Sequence, residues 1–464
     1  MPAPVALLLY SSLVFYLLRY DRRQSNRVSF ALWIPTIWTL SIASKSLAVW
    51  FGGRPEDVES GSPLDRLFVS GLLFLALLIL ARRKLNWRPV IKKNAWLTLL
   101  IVYMLISILW SDIPFISLKR WTKEITAVVM ACIVLTEPEP RQAMESLFRR
   151  TAYILIPFSI LVIKYFPAYG VAYRWNGEVM WVGVTEQKNG LGRLCLVAAF
   201  FLVWTLVRRW KAREFSAHKF QTVAEVFLLG LTVWLLKGPS DWAASATGFI
   251  ALTVGLVAFA GLLWLKKCRL SLHPAVLTAI ISVIIMVGVI TPFSQGSSVA
   301  GFTSLVSRNE TLTGRTDIWD MLIPVVKHHP VLGVGFGGFW TSQTEAEVMV
   351  NEAHNGYLAV LLGLGFVGLL ICSMFLLSFG RKAVQALAYD YDWASLCICF
   401  LLMATVHNIS ESSFDSFTRH LMAMILFLAV TLPAVTKREY RKRSPATPTT
   451  SVRRHWAVSE LPLN

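Results

Sequence analysis

Residues 274–292 read PAVLTAIISVIIMVGVITP, a run without a single ionisable side chain. About 20 apolar residues cross the hydrocarbon of a bilayer as a helix, so this run predicts a transmembrane helix. Similar runs recur on both sides of it along nearly the whole chain. The 464 residues are 55% hydrophobic and 16% charged, whereas soluble domains are about 25% charged. The sequence therefore predicts an integral membrane protein made of helices, which satisfy their own backbone in lipid.

Thirteen runs of this kind set the predicted fold, which is all-α and polytopic, with about 12 to 13 transmembrane helices. The first run is short and is either a span or an interfacial helix, which is why twelve is the other count. The predicted spans are 4–18, 28–51, 64–81, 95–110, 121–135, 151–167, 190–207, 221–237, 244–265, 274–292, 356–379, 393–406 and 420–436.

Lysine and arginine predict how the chain is oriented in the membrane. Alternate loops and the C-terminal tail hold 30 of the 45 basic residues, and the opposite loops hold 9. Cytoplasmic loops carry the excess of Lys and Arg, so the C-terminus is predicted to be cytoplasmic and loop 293–355 periplasmic. The net charge of +18 is then explained by loops that face anionic membrane lipids. Nucleic acid is not expected as a partner.

The longest connection between spans, loop 293–355, divides the chain into four parts. They are the N-terminal helices 1–292, the large periplasmic loop 293–355, the C-terminal helices 356–436 and a basic cytoplasmic tail 437–464 that is predicted to be disordered. Loops longer than about 12 to 15 residues tend to be functional. We therefore expect the chemistry of this protein in loop 293–355.

An amphipathic, interfacial helix is predicted inside this loop. Thr316 and Asp317 are suited to cap its start, and the apolar positions that follow recur at helical spacing. We expect the helix to be interrupted near Pro324 and to end at His329–Pro330. Its apolar face is formed by Ile318, Trp319, Leu322, Val325 and Val326.

Arg315 lies at the predicted start of this helix, where a guanidinium and a helix N-terminus together suit a phosphate group. The alternative is an ion pair with Asp317 or contact with a lipid headgroup. His354 follows Glu352 and precedes a span, an arrangement suited to a general base at the membrane edge. A satisfied interfacial histidine is the alternative for that residue. His328 and His329 are weaker candidates, because they end a helix.

Gly333, Gly335 and Gly338 formally match the dinucleotide pattern Gly-x-Gly-x-x-Gly. That pattern requires a preceding strand inside a soluble βαβ unit, so we reject a nucleotide site and expect the glycines to pack closely against a helix or a sugar. The histidines are scattered, and no Asp-x-Asp pair lies in an outer loop. Neither a metal site nor a cofactor is predicted.

Two further polar loops are predicted on the same side of the membrane as loop 293–355. Loop 167–189 contains Arg174, Glu186 and Lys188, and loop 407–419 contains Glu411 and Asp415. We expect the three polar loops to converge.

Three sequence blocks, in this order and spacing, resemble the superfamily of O-antigen ligases and polysaccharide polymerases. They are Gly314-Arg315-Thr316-Asp317-Ile318-Trp319, His329-Pro330-x-x-Gly333-x-Gly335-x-Gly337 and His354-Asn355-Gly356-Tyr357. The resemblance is best over about 300–375. Lys188-Asn189-Gly190-Leu191-Gly192, just before a span, is similar to the exopolysaccharide-production branch.

The resemblance implies a metal-independent, inverting glycosyltransferase that moves a glycan from undecaprenyl pyrophosphate to an acceptor hydroxyl on the periplasmic side. It implies that Arg315 neutralises the pyrophosphate leaving group and that His354 helps to deprotonate the acceptor. A polymerase would use a second lipid-linked repeat unit as the acceptor, and a ligase would use lipid A core. The exopolysaccharide features favour a polymerase, with chain-length regulator and export proteins as further partners.

One departure from the family pattern concerns a second cation. Family members often have a Ser-Arg pair after the span that ends here near Lys237, but this chain has Ser240-Asp241. We expect the second positive charge at the pyrophosphate to come from Lys188, Arg174, Arg193 or Lys237. A transporter or flippase of lipid-linked oligosaccharide is the competing interpretation. The sequence shows no internal repeat of the kind common in transporters, which disfavours it.

Overall fold

The computed structural model describes residues 2–53, 61–173, 177–215, 218–239, 245–294, 310–348, 350 and 352–432, without the side chains of 310–314. The first half of the described chain contains α1 (Ala3–Gln24), α2 (Trp33–Ile42), α3 (Leu47–Trp50), α4 (Pro63–Arg83), α5 (Trp87–Lys93), α6 (Ala95–Ser107), α7 (Pro114–Leu135), α8 (Pro140–Tyr165) and α9 (Pro167–Gly170). The second half contains α10 (Lys188–Lys211), α11 (Lys219–Lys237), α12 (Ala246–Lys267), α13 (Pro274–Ile290), α14 (Glu310–His328), α15 (Ser342–Val348), α16 (Gly356–Ala386), α17 (Tyr391–His407) and α18 (His420–Thr431).

The helices confirm an all-α, polytopic membrane protein. Within the described ranges, eight helices are long and apolar enough to cross a membrane, and the count is nine if α5 and α6, which meet at 94°, form one broken span. Three shorter apolar helices, Phe30–Ile42, Tyr391–His407 and His420–Thr431, accompany them. The total of twelve or thirteen spans stays a prediction, as do the four-part division of the chain and its orientation. The basic tail 437–464 lies outside the described residues.

The predicted span 28–51 is wrong as one continuous helix. Its helix α2 ends at Ile42, and α3 begins only at Leu47. Between them, Lys45 is buried, and its Nζ donates to the carbonyls of Gly183, at 3.2 Å, and of Thr185. A cation inside an apolar run needs such partners, and the break in the helix lets it reach them.

Helix α10 lies at the centre of the bundle. It packs against α11 and α12, while α17 packs against α12, and α16 packs against α6 and α13. Loop 167–189 forms a short hairpin, because strand β1 (Val171–Tyr173) pairs antiparallel with β2 (Val179–Trp181). This hairpin leads directly into the first residues of α10.

Helix α14 differs from the predicted interfacial helix at its start and in its middle. It begins at Glu310, so Arg315 lies inside the helix, and Thr316 and Asp317 do not cap it. Pro324 also lies within the continuous helix, since a proline removes only one hydrogen bond and the neighbouring turns persist. The predicted end is confirmed, because the last helical residue is His328.

The apolar face of α14 is buried against the protein, next to α16 and the turn at 291–293. Ile318, Trp319, Leu322 and Val326 are all buried. The Trp319 indole donates from Nε1 to the carbonyl of Ala353, at 2.9 Å. These contacts fix Arg315 relative to the segment that leads into α16.

The glycine-rich segment packs into a break in α16. Gly365 has φ +63°, outside helical geometry. The N–H groups of Phe366 and Val367 donate to the carbonyls of residues 330 and 331, at 2.9 and 3.1 Å. A Cβ at Gly333, where φ is +66°, would lie 2.6 Å from backbone atoms of α16. This confirms that the glycines pack against a helix, and the described element directly before them is helix α14 and not a strand.

Candidate functional site

Charged side chains from four segments meet at one end of the bundle. They come from α14, from residues 352–355 before α16, from the loop between α17 and α18, and from the start of α10. These contacts confirm that the three polar loops converge. Within the described residues, the cluster contains Arg315, His354, Glu352, Glu411, Arg419, Asn189 and Arg193.

Glu411 is the centre of this cluster. Its Oε1 lies 2.6 Å from Arg315 Nη2 and accepts a hydrogen bond from Asn189 Nδ2 at 2.7 Å. Its Oε2 lies 3.9 Å from His354 Nδ1. Burial alone would raise the pKa of Glu411, but the adjacent His354 and Arg315 stabilise the carboxylate and lower that pKa to about 2. The ion-pair partner of Arg315 is therefore Glu411 and not Asp317.

His354 occupies an unusual backbone position beside two carboxylates. Its φ is +48°, a left-handed conformation that is uncommon for residues other than glycine. Its Nδ1 lies 3.4 Å from Glu352 Oε1, and Glu352 Oε2 lies 3.6 Å from Arg419 Nη1. The carboxylates face Nδ1, so Nε2 is the ring nitrogen that remains for another partner. The His354 side chain is 18% exposed, which leaves the ring within reach of a ligand.

The residues that follow His354 explain how it is held. Asn355 caps α16, because its Oδ1 accepts from the N–H groups of Tyr357 and Leu358. Its Nδ2 donates to the carbonyls of Gly288 and Ile409, both at 2.9 Å. The same side chain thus ties three elements together at the base of the site.

Gly356 and Tyr357 complete this arrangement. A Cβ at Gly356 would lie 2.0 Å from Asn408 Oδ1, so only glycine fits there. The hydroxyl of Tyr357 donates to the Thr405 carbonyl at 2.8 Å. The His-Asn-Gly-Tyr block is therefore one histidine followed by three residues that position it against α17.

The four candidates for a second cation are placed differently. Arg193 is buried, and its Nη1 donates to Ser413 Oγ at 3.1 Å and to the Ser412 carbonyl at 3.3 Å, directly after Glu411. Lys188 is the first residue of α10 and is half-buried. Lys237 ends α11 and is exposed, and no described contact joins it to the cluster. Arg174 and Ser240-Asp241 lie outside the described residues.

Glu411 and Arg419 were missed as site residues. Both lie in the short loop 407–419, whose position next to Arg315 and His354 is created only by the fold. Arg419 pairs with Glu352. Burial lowers the pKa of Arg419, but the nearby carboxylates Asp415 and Glu352 raise it by more, so the net change is an increase. Its place as the single cation in an acidic loop is the signal that could have identified it.

Glu352, His354 and Glu411 each offer one ligand atom, and these atoms lie within 4.8 Å of one another. The same carboxylates face the guanidinium groups of Arg315 and Arg419. Fixed cations at these distances repel a divalent ion and occupy its ligands. The donor set fits a proton-transfer and anion-binding site better than a metal site, and the expectation of metal-independent chemistry stays a prediction.

Two comparisons with known proteins agree with this site. The family described as O-antigen ligase matches residues 242–373, which include Arg315, His354 and the glycine-rich segment. The chain is also 23% identical, over 322 residues, to the exopolysaccharide production protein ExoQ of Rhizobium meliloti (strain 1021). That alignment covers 65% of this chain and 68% of the relative.

The long apolar helices and the two comparisons thus support a multi-pass membrane protein of the class that ligates or polymerises glycans. Both comparisons support a resemblance to the O-antigen ligase superfamily, and the relative supports its exopolysaccharide-production branch. The resemblance inferred from the sequence blocks is therefore confirmed.

Proposed function

We propose that this protein transfers a glycan from undecaprenyl pyrophosphate to an acceptor hydroxyl at the periplasmic face of the bacterial inner membrane. One observation supports this most strongly. Arg315 and His354, which are 39 positions apart in the large loop, lie 2.6 and 3.9 Å from the same buried carboxylate, Glu411. A cation and a base side by side are what displacement of a pyrophosphate by a hydroxyl requires.

The proposed reaction is one inverting displacement. The acceptor oxygen attacks the anomeric carbon as the bond from that carbon to the pyrophosphate oxygen breaks. The acceptor proton moves to His354 Nε2, and the negative charge that develops on the leaving pyrophosphate is stabilised by Arg315. Glu352 and Glu411, which face Nδ1, stabilise the imidazolium that forms.

Glu411 has the role of a positioning residue in this proposal. Of the nitrogens of Arg315, Glu411 is hydrogen-bonded to Nη2 alone within the described residues. The planar guanidinium therefore keeps further N–H donors for phosphate oxygens. Asn189 holds the same carboxylate from α10. Asn189 at the start of α10 is therefore included in the proposed site.

Arg419 is the best placed second cation for the pyrophosphate. Its side chain is 36% exposed and pairs loosely with Glu352. Arg193 has a different role, because it holds the loop of Ser412 and Ser413 next to Glu411. Lys188 and Arg174 remain proposed contributors to donor binding. Lys237 is the weakest of the four candidates for the second cation, because it ends helix α11 outside the described cluster.

The acceptor is proposed to be a second lipid-linked repeat unit, which makes the protein a polymerase. The exopolysaccharide production named for the relative supports this choice over transfer to lipid A core. Chain-length regulator and export proteins are the partners that a polymerase of this kind would need.

The test uses purified protein, undecaprenyl-pyrophosphate oligosaccharide and EDTA, and follows glycan size with and without an added lipid acceptor. Lengthening without the added acceptor is the expected result, and transfer only to that acceptor would make the protein a ligase. Loss of all transfer on adding EDTA would contradict the metal-free mechanism. No transfer with either acceptor, together with movement of labelled donor across proteoliposomes, would replace the enzyme with the flippase interpretation.

A further inference from the structure

A cavity of about 660 Å³ lies at the end of the bundle opposite the Glu411 cluster. It is bounded by the last turns of α1, by the start of α2 and by Arg150 in the first half of α8. The other end of α8 leads into loop 167–189, which reaches Glu411 through Asn189. The part of α8 from Arg150 to its end at Tyr165, about 22 Å at 1.5 Å per residue, therefore lies between the cavity and that loop.

One wall of this cavity is formed by arginines. Arg19, Arg22 and Arg23 line it and are exposed, and none of them has an ion pair within the described ranges. Arg150 also lines it and is buried, with Nε 2.9 Å from Asp21 Oδ2. The Arg150 Nη1 is buried and has no hydrogen-bond partner among the described residues.

The negative charge near this wall is too small to balance it. Asp21 is fully buried and is shared, because Arg149 Nε lies 2.8 Å from its other oxygen. Asp21 thus serves two guanidinium groups, of which Arg149 also lies 3.5 Å from Glu145, while the three exposed arginines stand beside it without an ion pair in the described ranges. An unsatisfied guanidinium in an arginine-lined cavity favours a phosphate ligand, which accepts several such donors at once.

The other wall of the cavity is apolar. Phe15 and Leu18 belong to the part of α1 that has the composition of a membrane span. Phe15 is 67% exposed, and the Trp33 ring lies under the Arg150 guanidinium at 4.5 Å. A soluble phosphate would have no use for this wall, whereas an acyl chain would lie along it.

We propose that this cavity binds an anionic phospholipid, with its phosphate against the arginines and an acyl chain against Phe15 and Leu18. The site is independent of the transfer reaction and lies on the opposite membrane face. Phosphatidylglycerol, which is anionic, is expected to bind more tightly than zwitterionic phosphatidylcholine, because the excess of arginines attracts a net negative charge.

Native mass spectrometry of the purified full-length chain, titrated with phosphatidylglycerol or phosphatidylcholine, tests the site. The triple variant Arg19→Gln, Arg22→Gln, Arg23→Gln is expected to bind phosphatidylglycerol at least about tenfold more weakly, with binding of phosphatidylcholine unchanged. Arg150 is left intact because its loss would unpair buried Asp21. The matched control is the triple variant Arg82→Gln, Arg88→Gln, Lys92→Gln. It also removes three exposed positive charges, but none of these residues lines the cavity.

Unchanged phosphatidylglycerol affinity in the triple variant would overturn the proposal, and so would an equal loss in the control. Displacement of the lipid by millimolar inorganic phosphate would show that the cavity takes a soluble anion. Phe15→Ser tests the apolar wall without altering charge. It is expected to weaken binding of phosphatidylglycerol, and an unaffected affinity in this variant would also contradict the placement of the acyl chain.

Discussion

Helix α10 connects two charged clusters that are built in different ways. At its end, Arg208 Nη2 donates to Glu145 Oε2 at 2.8 Å, and Arg141 Nε donates to Glu145 Oε1 at 3.1 Å. Near its start, about 30 Å away at 1.5 Å per residue, His354 lies 3.4 and 3.9 Å from its carboxylates and Arg419 lies 3.6 Å from Glu352. The first cluster is closely paired, and most of the second is not.

The difference separates charges that hold helices together from charges that are available to a ligand. Around Glu145, continuous helices supply every partner, and the carboxylate oxygens are taken up in short hydrogen bonds. Around Glu411, which lies in a loop, Arg315 comes from α14, Asn189 from the first turn of α10 and His354 from the segment before α16. Glu411 Oε2 and His354 Nδ1 lie 3.9 Å apart, beyond hydrogen-bond distance, so this pair is looser than those around Glu145.

The largest effects are expected from Arg315→Ala and His354→Ala. Each variant should lower glycan transfer by about 10² to 10⁴, the range for removing a general base or a stabilising charge. The measurement is transfer from undecaprenyl-pyrophosphate oligosaccharide at equal amounts of membrane-inserted protein. His329→Ala is the control, because His329 is exposed after the end of α14. Full activity in both site variants would remove the distinction between the two clusters.

Glu145→Gln should give the opposite result, with a loss of stability and little change in transfer per folded molecule. It leaves Arg208, Arg141 and Arg149 without their shared carboxylate. Removing one partner of a buried pair costs about 3 to 5 kcal/mol. We expect about 3 kcal/mol, since Arg141 and Arg208 are one-third exposed and partly screened.

Unfolding in detergent measures the effect of Glu145→Gln on the free energy of unfolding. Glu139→Gln is the control, because Glu139 and its partner Arg27 are both largely exposed, and such pairs contribute under about 1 kcal/mol. A loss of transfer in Glu145→Gln at unchanged stability would place this cluster in the function.

Gly333→Ala tests how the glycine-rich segment supports the loosely paired cluster. The new Cβ would have to occupy a left-handed conformation and would approach the backbone at Leu364 and Gly365 to 2.6 Å. The expected decrease in the free energy of unfolding is about 2 kcal/mol. Gly230→Ala is the control, since a Cβ at Gly230 meets nothing within 4 Å and lies inside helix α11. Equal stability of both variants would mean that the segment is not docked on α16.

The effect confined to the narrowest range of conditions is a pH dependence of stability that belongs to Glu411. Its pKa is lowered to about 2 in the folded protein, against about 4.3 for an unperturbed glutamate. The stabilisation is therefore complete above about pH 4.3 and is lost as the pH falls from there towards 2. Melting temperatures over this range should fall more steeply for the wild type than for Glu411→Gln. Parallel curves would contradict the assignment, and Glu347→Gln, which alters an exposed glutamate, provides the baseline.

The sequence was sufficient for the membrane fold and for the blocks around Arg315 and His354, because both depend on local composition and spacing. The packing of Gly333 was also predictable, since several glycines at short spacing indicate close approach of backbone. The loss of a continuous helix at Lys45 was not predicted, because its carbonyl partners lie in loop 167–189, far away in the sequence.

Two features of the site depended on contacts that no local pattern contains. The start of α14 was misplaced, because Thr316 and Asp317 have the side chains of a cap while the helix already begins at Glu310. Glu411 is one carboxylate in a short polar loop, and its importance arises only when Arg315, His354 and Asn189 surround it. Charge pairs between distant segments are set by tertiary structure.

The pairing of Arg315 with Glu411 joins residues that are 96 positions apart in the chain. At a synthesis rate of about 5 to 20 residues per second, Arg315 is made roughly 5 to 20 s before its counter-charge. During that interval α16 and α17 are synthesised and must enter the membrane, and Arg315 in the preceding loop has no Glu411 to pair with. The centre of the site is therefore completed late in biogenesis, and a chain that ends before residue 411 would have Arg315 and His354 without the carboxylate that they share.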